Sequence, residues 1–215
     1  PFVDYGITSC DSISLKGIFR NPEFPNLSQN RNQLFRMASM TKPMTAYLAL
    51  AVLEDNGIDL HDSIGKYVPE IDDLEIAYKE GNVIKYQKNN VPISFHHLLN
   101  FTSGHAYEHH DPIISELLSK KEIAPMKIGD DSFLQAPLVF APGSRWGYGI
   151  SYGWLGKAIE AISGVGLDEN LKKYLCQPLG LEKTSFNPSQ SSRDTLAPVY
   201  FRDSEGAYTD IGSKI

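Results

Sequence analysis

Ser39 and Lys42 stand three positions apart at the head of the apolar run in FRMASMTKPMTAYLALAVLEDNG. On a helix, side chains at i and i+3 share a face, so the lysine amine can reach the serine hydroxyl. Pro43 lacks an N–H and is tolerated only in a first turn, so we expect the helix to begin near Met40 or Thr41. Ser39 then lies at the helix N-terminus, beside unpaired N–H groups and the positive end of the helix dipole.

A serine hydroxyl becomes a good nucleophile only when an adjacent base takes its proton, so a Ser–Lys pair is a candidate for acyl-transfer chemistry. The spacing alone does not decide this, because the same pattern recurs at Ser63 and Lys66 in the turn-rich LHDSIGKYVPE. A helix cap followed by a surface lysine also explains Ser39 and Lys42. Other parts of the chain have to distinguish the two interpretations.

Two further stretches carry residue types that do chemistry. APGSRWGYGISYGWLG places Tyr148 in a glycine-rich turn before a helix, where a tyrosine packed on a loop is the simplest interpretation. GHAYEHHDP, residues 104–112, groups three histidines with two acids but lacks helical zinc-ligand spacing, so it predicts a solvated loop. No G-x-S-x-G elbow, phosphate-binding loop or dinucleotide fingerprint occurs, and we expect neither a metal nor a cofactor.

Composition restricts the partners. The 215 residues carry a formal net charge of −6, which argues against nucleic acid or an anionic membrane surface as the main partner. The longest apolar run, AYLALAVL, is far shorter than the about 20 residues that a membrane span needs. Cys10 and Cys176 do not make a disulfide framework, and Cys176 is predicted to be a buried apolar residue. We expect a soluble protein, cytoplasmic or exported, with a small-molecule substrate and an oligomeric state left open.

Periodicity and end signals predict the elements that position these residues. Helices are expected from about 40 to 55, where Asn56 and Gly57 end the pattern, and within 93–104, 111–123, 149–164 and 167–180. Ser94 and Asp111 are the expected N-caps of the second and third of these helices. We expect loops with one or two short strands in the first 34 residues. Residues 58–92 are expected to be mixed and turn-rich, and residues 197–211 are expected to form a hairpin.

Four stretches together resemble the serine β-lactamase and penicillin-binding-protein superfamily. They are LFRMASMTKPMTA, ISFHHLLNFTSG, PLVFAPGSRWGYGISYGWLGKAIEAISG and LKKYLCQPLGLEKTSF, in the family's order and spacing over roughly residues 33–212. Within the superfamily, the chain most resembles class C β-lactamases and the family VIII carboxylesterases. LHDSIGKYVPE also resembles a connector of this family, which removes Ser63 and Lys66 as a rival pair.

The resemblance implies an α+β fold, with an antiparallel sheet flanked by helices and a helical sub-domain inserted over about residues 60–145. It implies Ser39 as the nucleophile, with Lys42 and Tyr148 as a coupled pair that shares protons. The backbone N–H of Ser39 becomes a candidate oxyanion donor. The implied substrates are small-molecule esters or lactams, and the resemblance implies neither a cofactor nor a metal.

Two departures from the family pattern matter. Ile150 stands two positions after Tyr148, where β-lactamases usually carry Asn, and an apolar side chain cannot hydrogen-bond a lactam's amide. Ile150 is therefore predicted as a substrate-binding residue that favours esters. The Lys-Thr-Gly-like strand expected downstream is not found, so we expect 1–215 to be a single domain, incomplete at its C-terminus and part of a longer protein.

The leading hypothesis is a carboxylesterase that forms an acyl-enzyme on Ser39 with small esters. A β-lactamase or D-Ala-D-Ala carboxypeptidase uses the same residues and is the first alternative. Acyl transfer to a small acceptor also fits acyl-enzyme chemistry. The remaining alternative is a non-catalytic relative used for binding or assembly.

Overall fold

The computed structural model describes residues 2–8, 12–20, 34–127 and 129–212. The chain divides into two units, Ala38–Asn187 and a second unit formed by Pro1–Met37 with Pro188–Ile215. All residues of the candidate site fall in the first unit. Cys10 lies outside the described residues, whereas Cys176 is free and buried, as predicted.

Helices dominate the larger unit. They are α1 (Thr41–Asp55), α2 (Phe95–Leu99), α3 (Pro112–Ser119), α4 (Ser151–Ser163), α5 (Leu167–Leu171) and α6 (Gln177–Leu179), the last two joined by a π-helical turn (Lys172–Cys176). Short 3₁₀ turns occupy Ala38–Met40, Ile64–Lys66, Pro69–Asp73 and Ser132–Gln135, and α7 (Gln190–Arg193) belongs to the smaller unit. None of the helices in the described ranges combines the length and hydropathy of a membrane span.

Strands in the described chain form two-stranded antiparallel sheets. They are β1 (Phe2–Thr8) with β2 (Ile13–Arg20), β3 (Glu75–Glu80) with β4 (Val83–Lys88), and β5 (Tyr200–Arg202) with β6 (Tyr208–Asp210). The β5–β6 hairpin confirms the prediction for 197–211. The mixture of helices and strands confirms the α+β class, with three narrow sheets in these ranges instead of one wide one.

Helix α1 begins where its sequence predicts. Pro43 is in the first turn, and the helix ends before Gly57, which adopts a left-handed φ of 62°. Leu48, Val52 and their neighbours form the buried face of α1, which packs against α4. On α4, Trp154 is fully buried, so the two helices form the centre of the hydrophobic core behind the candidate site.

Side chains cap the N-termini of α2 and α3. Ser94 Oγ accepts a hydrogen bond from the His97 N–H at 3.3 Å and caps α2 as predicted. Asp111 Oδ1 accepts from the Ile113 N–H at 2.9 Å and caps α3. Helix α3 ends at Ser119 and not at residue 123, because Lys121 takes a left-handed φ of 58° that a helix cannot continue.

The β3–β4 hairpin was not predicted within the mixed, turn-rich stretch over 58–92, whereas turns and short 3₁₀ segments do occupy residues 58–74. Glu80 pairs with Val83 across a two-residue loop that begins at Gly81, whose φ is 62°. Apart from Ile76 and Ala77 the strands bury little, so the hydrophobic alternation that reveals a strand is weak. The predicted helical sub-domain over 60–145 therefore also contains this hairpin, and its status as a sub-domain stays a prediction.

Candidate active site

Ser39 lies in the 3₁₀ turn that leads into α1, with its side chain exposed. Ala38, just before it, takes a φ of 44°, a left-handed value that is uncommon for a residue with a Cβ. Such backbone strain tends to occur at functional sites. Lys42 Nζ donates a hydrogen bond to Ser39 Oγ at 3.0 Å, which is the contact that the i, i+3 spacing predicted.

Tyr148 reaches the same serine from a distant part of the chain. Its hydroxyl donates to Ser39 Oγ at 2.9 Å across 109 positions of sequence. Lys42 Nζ lies 5.0 Å from the centroid of the Tyr148 ring. The structure therefore brings together all three residues that the sequence named as catalytic candidates, and we refer to Ser39, Lys42 and Tyr148 as the Ser39 cluster.

Lys42 changes the pKa of Tyr148. Hydrogen bonding to Lys42, with a further contribution from Ser39, lowers the pKa of Tyr148 below its ordinary value, although burial opposes the shift. A tyrosine whose anion has a cationic partner ionises more easily and can accept a proton from an alcohol. This geometry allows an ionised Tyr148 to accept a proton from Ser39 Oγ.

The second Ser-x-x-Lys pattern forms no such cluster. Ser63 Oγ accepts from the Gly65 N–H at 3.2 Å and caps a 3₁₀ turn. Lys66 Nζ binds Asp62 instead of the serine. This arrangement agrees with the interpretation of LHDSIGKYVPE as a connector.

A neighbouring loop fixes the position of Tyr148. The Tyr107 N–H donates to the Tyr148 carbonyl at 3.1 Å. Gly149 lies so close to this loop that a Cβ at its position would come within 2.5 Å of the His105 carbonyl carbon. The glycines around Tyr148 therefore permit a close approach of two backbone segments, which holds the tyrosine over Ser39.

Aromatic rings surround Tyr148, and sequence reasoning missed them. Phe101, Tyr107, His110 and Trp146 have ring centroids 5.1, 5.1, 5.7 and 6.4 Å from that of Tyr148. Trp146 is 61% exposed. Trp146 could have been predicted to lie beside Tyr148, because it stands only two residues before it in the same tight turn.

A second serine network lies nearby and is buried. Ser103 Oγ is 2.9 Å from His105 Nδ1 and 2.8 Å from Ser151 Oγ, and we refer to these three residues as the His105 cluster. His105 is only 1% exposed, and burial lowers its pKa to about 3, so the imidazole is neutral. The prediction of a solvated loop over 104–112 is wrong at His105, because the chain turns inward at Gly104 with a φ of 100°.

Ile150 is 8% exposed and belongs to the hydrophobic core just before α4. It also lines a small, largely apolar pocket together with Ala106, Tyr107, Glu108, Ile114, Leu118, Ile123, Ala124, Met126, Phe133 and Ala136. Its predicted contact with substrate stays a prediction. Within the described ranges, no group of three or more His, Cys, Asp or Glu side chains is placed to hold a metal ion.

Comparison with known proteins identifies the family. The family model described as Beta-lactamase matches residues 26–212. The chain belongs to the β-lactamase family. Its fold is the β-lactamase/transpeptidase-like fold, as the resemblance implied, within a superfamily of serine hydrolases and acyltransferases.

Relatives of this β-lactamase family chain carry out acyl chemistry. It is 33% identical over 159 residues to the ML-236A carboxylate methylbutanoyltransferase of Penicillium citrinum, covering 72% of this chain and 38% of the relative. It is 27% identical to the lovastatin esterase of Penicillium rubens, covering 74% and 41%. The unliganded simvastatin synthase of Aspergillus terreus matches with a TM-score of 0.78 and 26% identity, covering 92% and 54%. The chain thus spans about half, or less, of the length of these relatives.

Proposed function

We propose that this protein is a serine carboxylesterase that acts on small esters through an acyl-enzyme on Ser39. One observation carries the proposal: Ser39 Oγ is hydrogen-bonded at once to Lys42 Nζ at 3.0 Å and to Tyr148 Oη at 2.9 Å. A nucleophile needs a base within hydrogen-bond reach, and here a cation also supports that base.

In the acylation step, the Tyr148 phenolate takes the proton from Ser39 while Oγ forms a bond to the ester carbonyl carbon. The carbonyl π electrons move onto oxygen, and the Ser39 N–H beside the start of α1 is the candidate donor to that oxyanion. Lys42 stays a cation and stabilises the phenolate before the proton moves. Lys42 and Tyr148 therefore act together as one proton-handling pair in this step.

Collapse of the tetrahedral intermediate expels the alcohol. The proton held by Tyr148 passes to the departing alkoxide, and the acyl group remains on Ser39 Oγ. Tyr148 then takes a proton from water as the water oxygen bonds to the acyl carbon. Collapse of this second tetrahedral intermediate breaks the bond to Ser39 Oγ, which recovers the proton from Tyr148 as the carboxylic acid leaves. Alkoxides depart more readily than amines, so an ester makes a smaller demand on this proton donor than a lactam or a peptide.

Acyl transfer is the second candidate, and the methylbutanoyltransferase relative favours it. The acyl-enzyme is then attacked by an alcohol in place of water, with the same proton movements. The β-lactamase and carboxypeptidase alternatives use the same cluster. The apolar side chain of Ile150 disfavours them, because it offers no hydrogen bond to a substrate amide.

The test is covalent labelling of the full-length protein with a fluorophosphonate, combined with hydrolysis of a p-nitrophenyl ester and a chromogenic cephalosporin. We expect labelling at Ser39 and faster ester hydrolysis. Ser63→Ala is the matched control, because Ser63 has the same spacing to a lysine but caps a turn. No labelling at Ser39 would favour the non-catalytic alternative, and ester formation with an added alcohol that exceeds hydrolysis would favour acyl transfer.

A further inference from the structure

Tyr107 is a second tyrosine beside the Ser39 cluster. Its side chain is half-buried, and its carbonyl accepts hydrogen bonds from the N–H groups of His110 and Asp111 at 2.9 and 3.0 Å, so its place is fixed. Burial raises the pKa of Tyr107, and the nearby Lys42 ammonium only partly offsets this. The Tyr107 phenol therefore keeps its proton under conditions in which Tyr148 can lose one.

The ammonium of Lys42 is flanked by two aromatic rings. Lys42 Nζ lies 5.9 Å from the centroid of the Tyr107 ring and 5.0 Å from that of Tyr148, both within the range of cation–π attraction. The two rings meet edge to face, with centroids 5.1 Å apart and an interplanar angle of 63°. The rings thus bound the space in which the ammonium can sit and leave it directed at Ser39 Oγ.

Tyr107 and Tyr148 are also tied through the backbone. The hydrogen bond from the Tyr107 N–H to the Tyr148 carbonyl means that a shift of one ring carries the other with it. We propose that Tyr107 is a positioning residue that, with Tyr148, holds the Lys42 ammonium between two aromatic rings and directs it at Ser39 Oγ. The catalytic meaning of this arrangement rests on the proposed function, whereas the arrangement itself can be measured without turnover.

The position of the Lys42 ammonium should affect the pKa of Tyr148. A ring face that attracts the ammonium helps to hold it beside Tyr148, and hydrogen bonding to Lys42 is the main cause of the lowered pKa of Tyr148. Weakening the Tyr107 ring face therefore raises the pKa of Tyr148. The sign follows because the phenolate loses part of the cationic partner that stabilises it.

Other titratable groups face this pair. His109 stacks on Tyr107 with ring centroids 5.7 Å apart, His110 meets the ring of Tyr148 at 5.7 Å, and Glu108 raises the pKa of Tyr107. Both variants at position 107 keep these neighbours, so the comparison between the variants isolates the ring face of residue 107.

The experiment compares two rings of nearly the same shape at position 107 of the full-length protein. Tyr107→Phe keeps the electron-rich face, and a trifluorinated phenylalanine removes most of it. The pKa of Tyr148 is measured by NMR of ¹³C-labelled tyrosine rings, assigned by the signal lost in Tyr148→Phe. We expect the pKa to be higher by about half a unit in the fluorinated variant, with fluorophosphonate labelling near neutral pH about threefold slower.

The same pair of substitutions at Tyr152 is the matched control. Tyr152 is also half-buried and stacks on Phe101, but its hydroxyl bonds to the Leu99 carbonyl. An unchanged Tyr148 pKa in the fluorinated Tyr107 variant, or an equal shift from position 152, would overturn the proposal. An equal shift in Tyr107→Phe would assign the effect to the hydroxyl and also overturn it. Absence of labelling in the wild type defeats the proposed function alone, because the NMR titration still tests Tyr107.

Discussion

The Ser39 cluster and the His105 cluster contain similar hydrogen bonds but have opposite environments. In each, a serine oxygen lies about 3 Å from the nitrogen of a titratable side chain, at 3.0 Å for Lys42 and 2.9 Å for His105. Ser39 is exposed, and hydrogen bonding to Lys42 lowers the pKa of its other partner, Tyr148. The His105 cluster is buried, and desolvation keeps its imidazole neutral.

The comparison teaches that residue types alone do not make an acyl-transfer site. By type, the Ser103–His105 pair is the more familiar combination of nucleophile and base. It has no access to substrate, and a histidine whose pKa is about 3 is a weak base. In the proposed mechanism Tyr148 is the base, because Lys42 lowers its pKa while the cluster stays open to solvent.

The largest expected effect is the loss of labelling in Ser39→Ala. This variant removes the only nucleophile proposed, so fluorophosphonate labelling followed by mass spectrometry should find no modified peptide. Ser103→Ala should keep labelling at Ser39 within a fewfold of the wild type, because Ser103 is closed to the probe. Undiminished labelling in Ser39→Ala would show that the nucleophile is another residue, and the proposed difference in reactivity between the two clusters would be wrong.

The next effect concerns the partners of Ser39. Lys42→Ala and Tyr148→Phe should each slow acylation by roughly 10³-fold or more, since each breaks the proton-handling pair. The double variant should be little slower than either single one, because the two side chains act as one unit. The acylation rate of each variant is measured by stopped-flow with an ester, and Tyr152→Phe is the control. Losses that add in the double variant would show that Lys42 and Tyr148 act independently.

The buried His105 should contribute to the pH dependence of the free energy of unfolding in acid. The folded pKa of His105 is about 3, below the ordinary value of 6.5, so the unfolded chain binds a proton that the folded chain excludes. This contribution is fully present above pH 6.5 and is lost as the pH falls toward 3, by roughly 1.4 kcal/mol per pH unit at most. Urea unfolding at several pH values should show a shallower acid slope in His105→Gln than in the wild type. Ser63→Ala, which removes no titratable side chain, is the control. An unchanged slope in His105→Gln would mean that His105 takes up a proton without unfolding.

The smallest effect tests Ile150. We expect the ratio of ester to cephalosporin kcat/KM to fall by about tenfold in Ile150→Asn, because an amide can pair with a lactam substrate and an alkyl group cannot. Ile150→Val controls for a change of volume and should alter the ratio little, at a stability cost of about 1 kcal/mol. Cephalosporin hydrolysis by the wild type that equals its ester hydrolysis would contradict the ester preference.

Some features followed from local patterns in the sequence. Pro43 and the apolar run gave the start of α1, and the spacing of Ser39 and Lys42 gave their contact. Helix caps at Ser94 and Asp111 were predicted for the same reason, since a cap depends on a few adjacent residues. The β3–β4 hairpin was missed because its strands are mostly exposed, which leaves the two-residue loop as the main signal.

The sequence by itself determined the candidate nucleophile, its lysine and, through four stretches in family order, the tyrosine that accompanies them. Only the tertiary structure decided that the rings of Tyr107 and Tyr148 both flank Lys42, and that His105 is buried while Ser39 is open. Helix contacts depend on neighbours three or four residues away, whereas the contact of Tyr148 spans 109 positions. Burial and the resulting pKa shifts depend on every segment that packs around a group, so a local pattern cannot predict them.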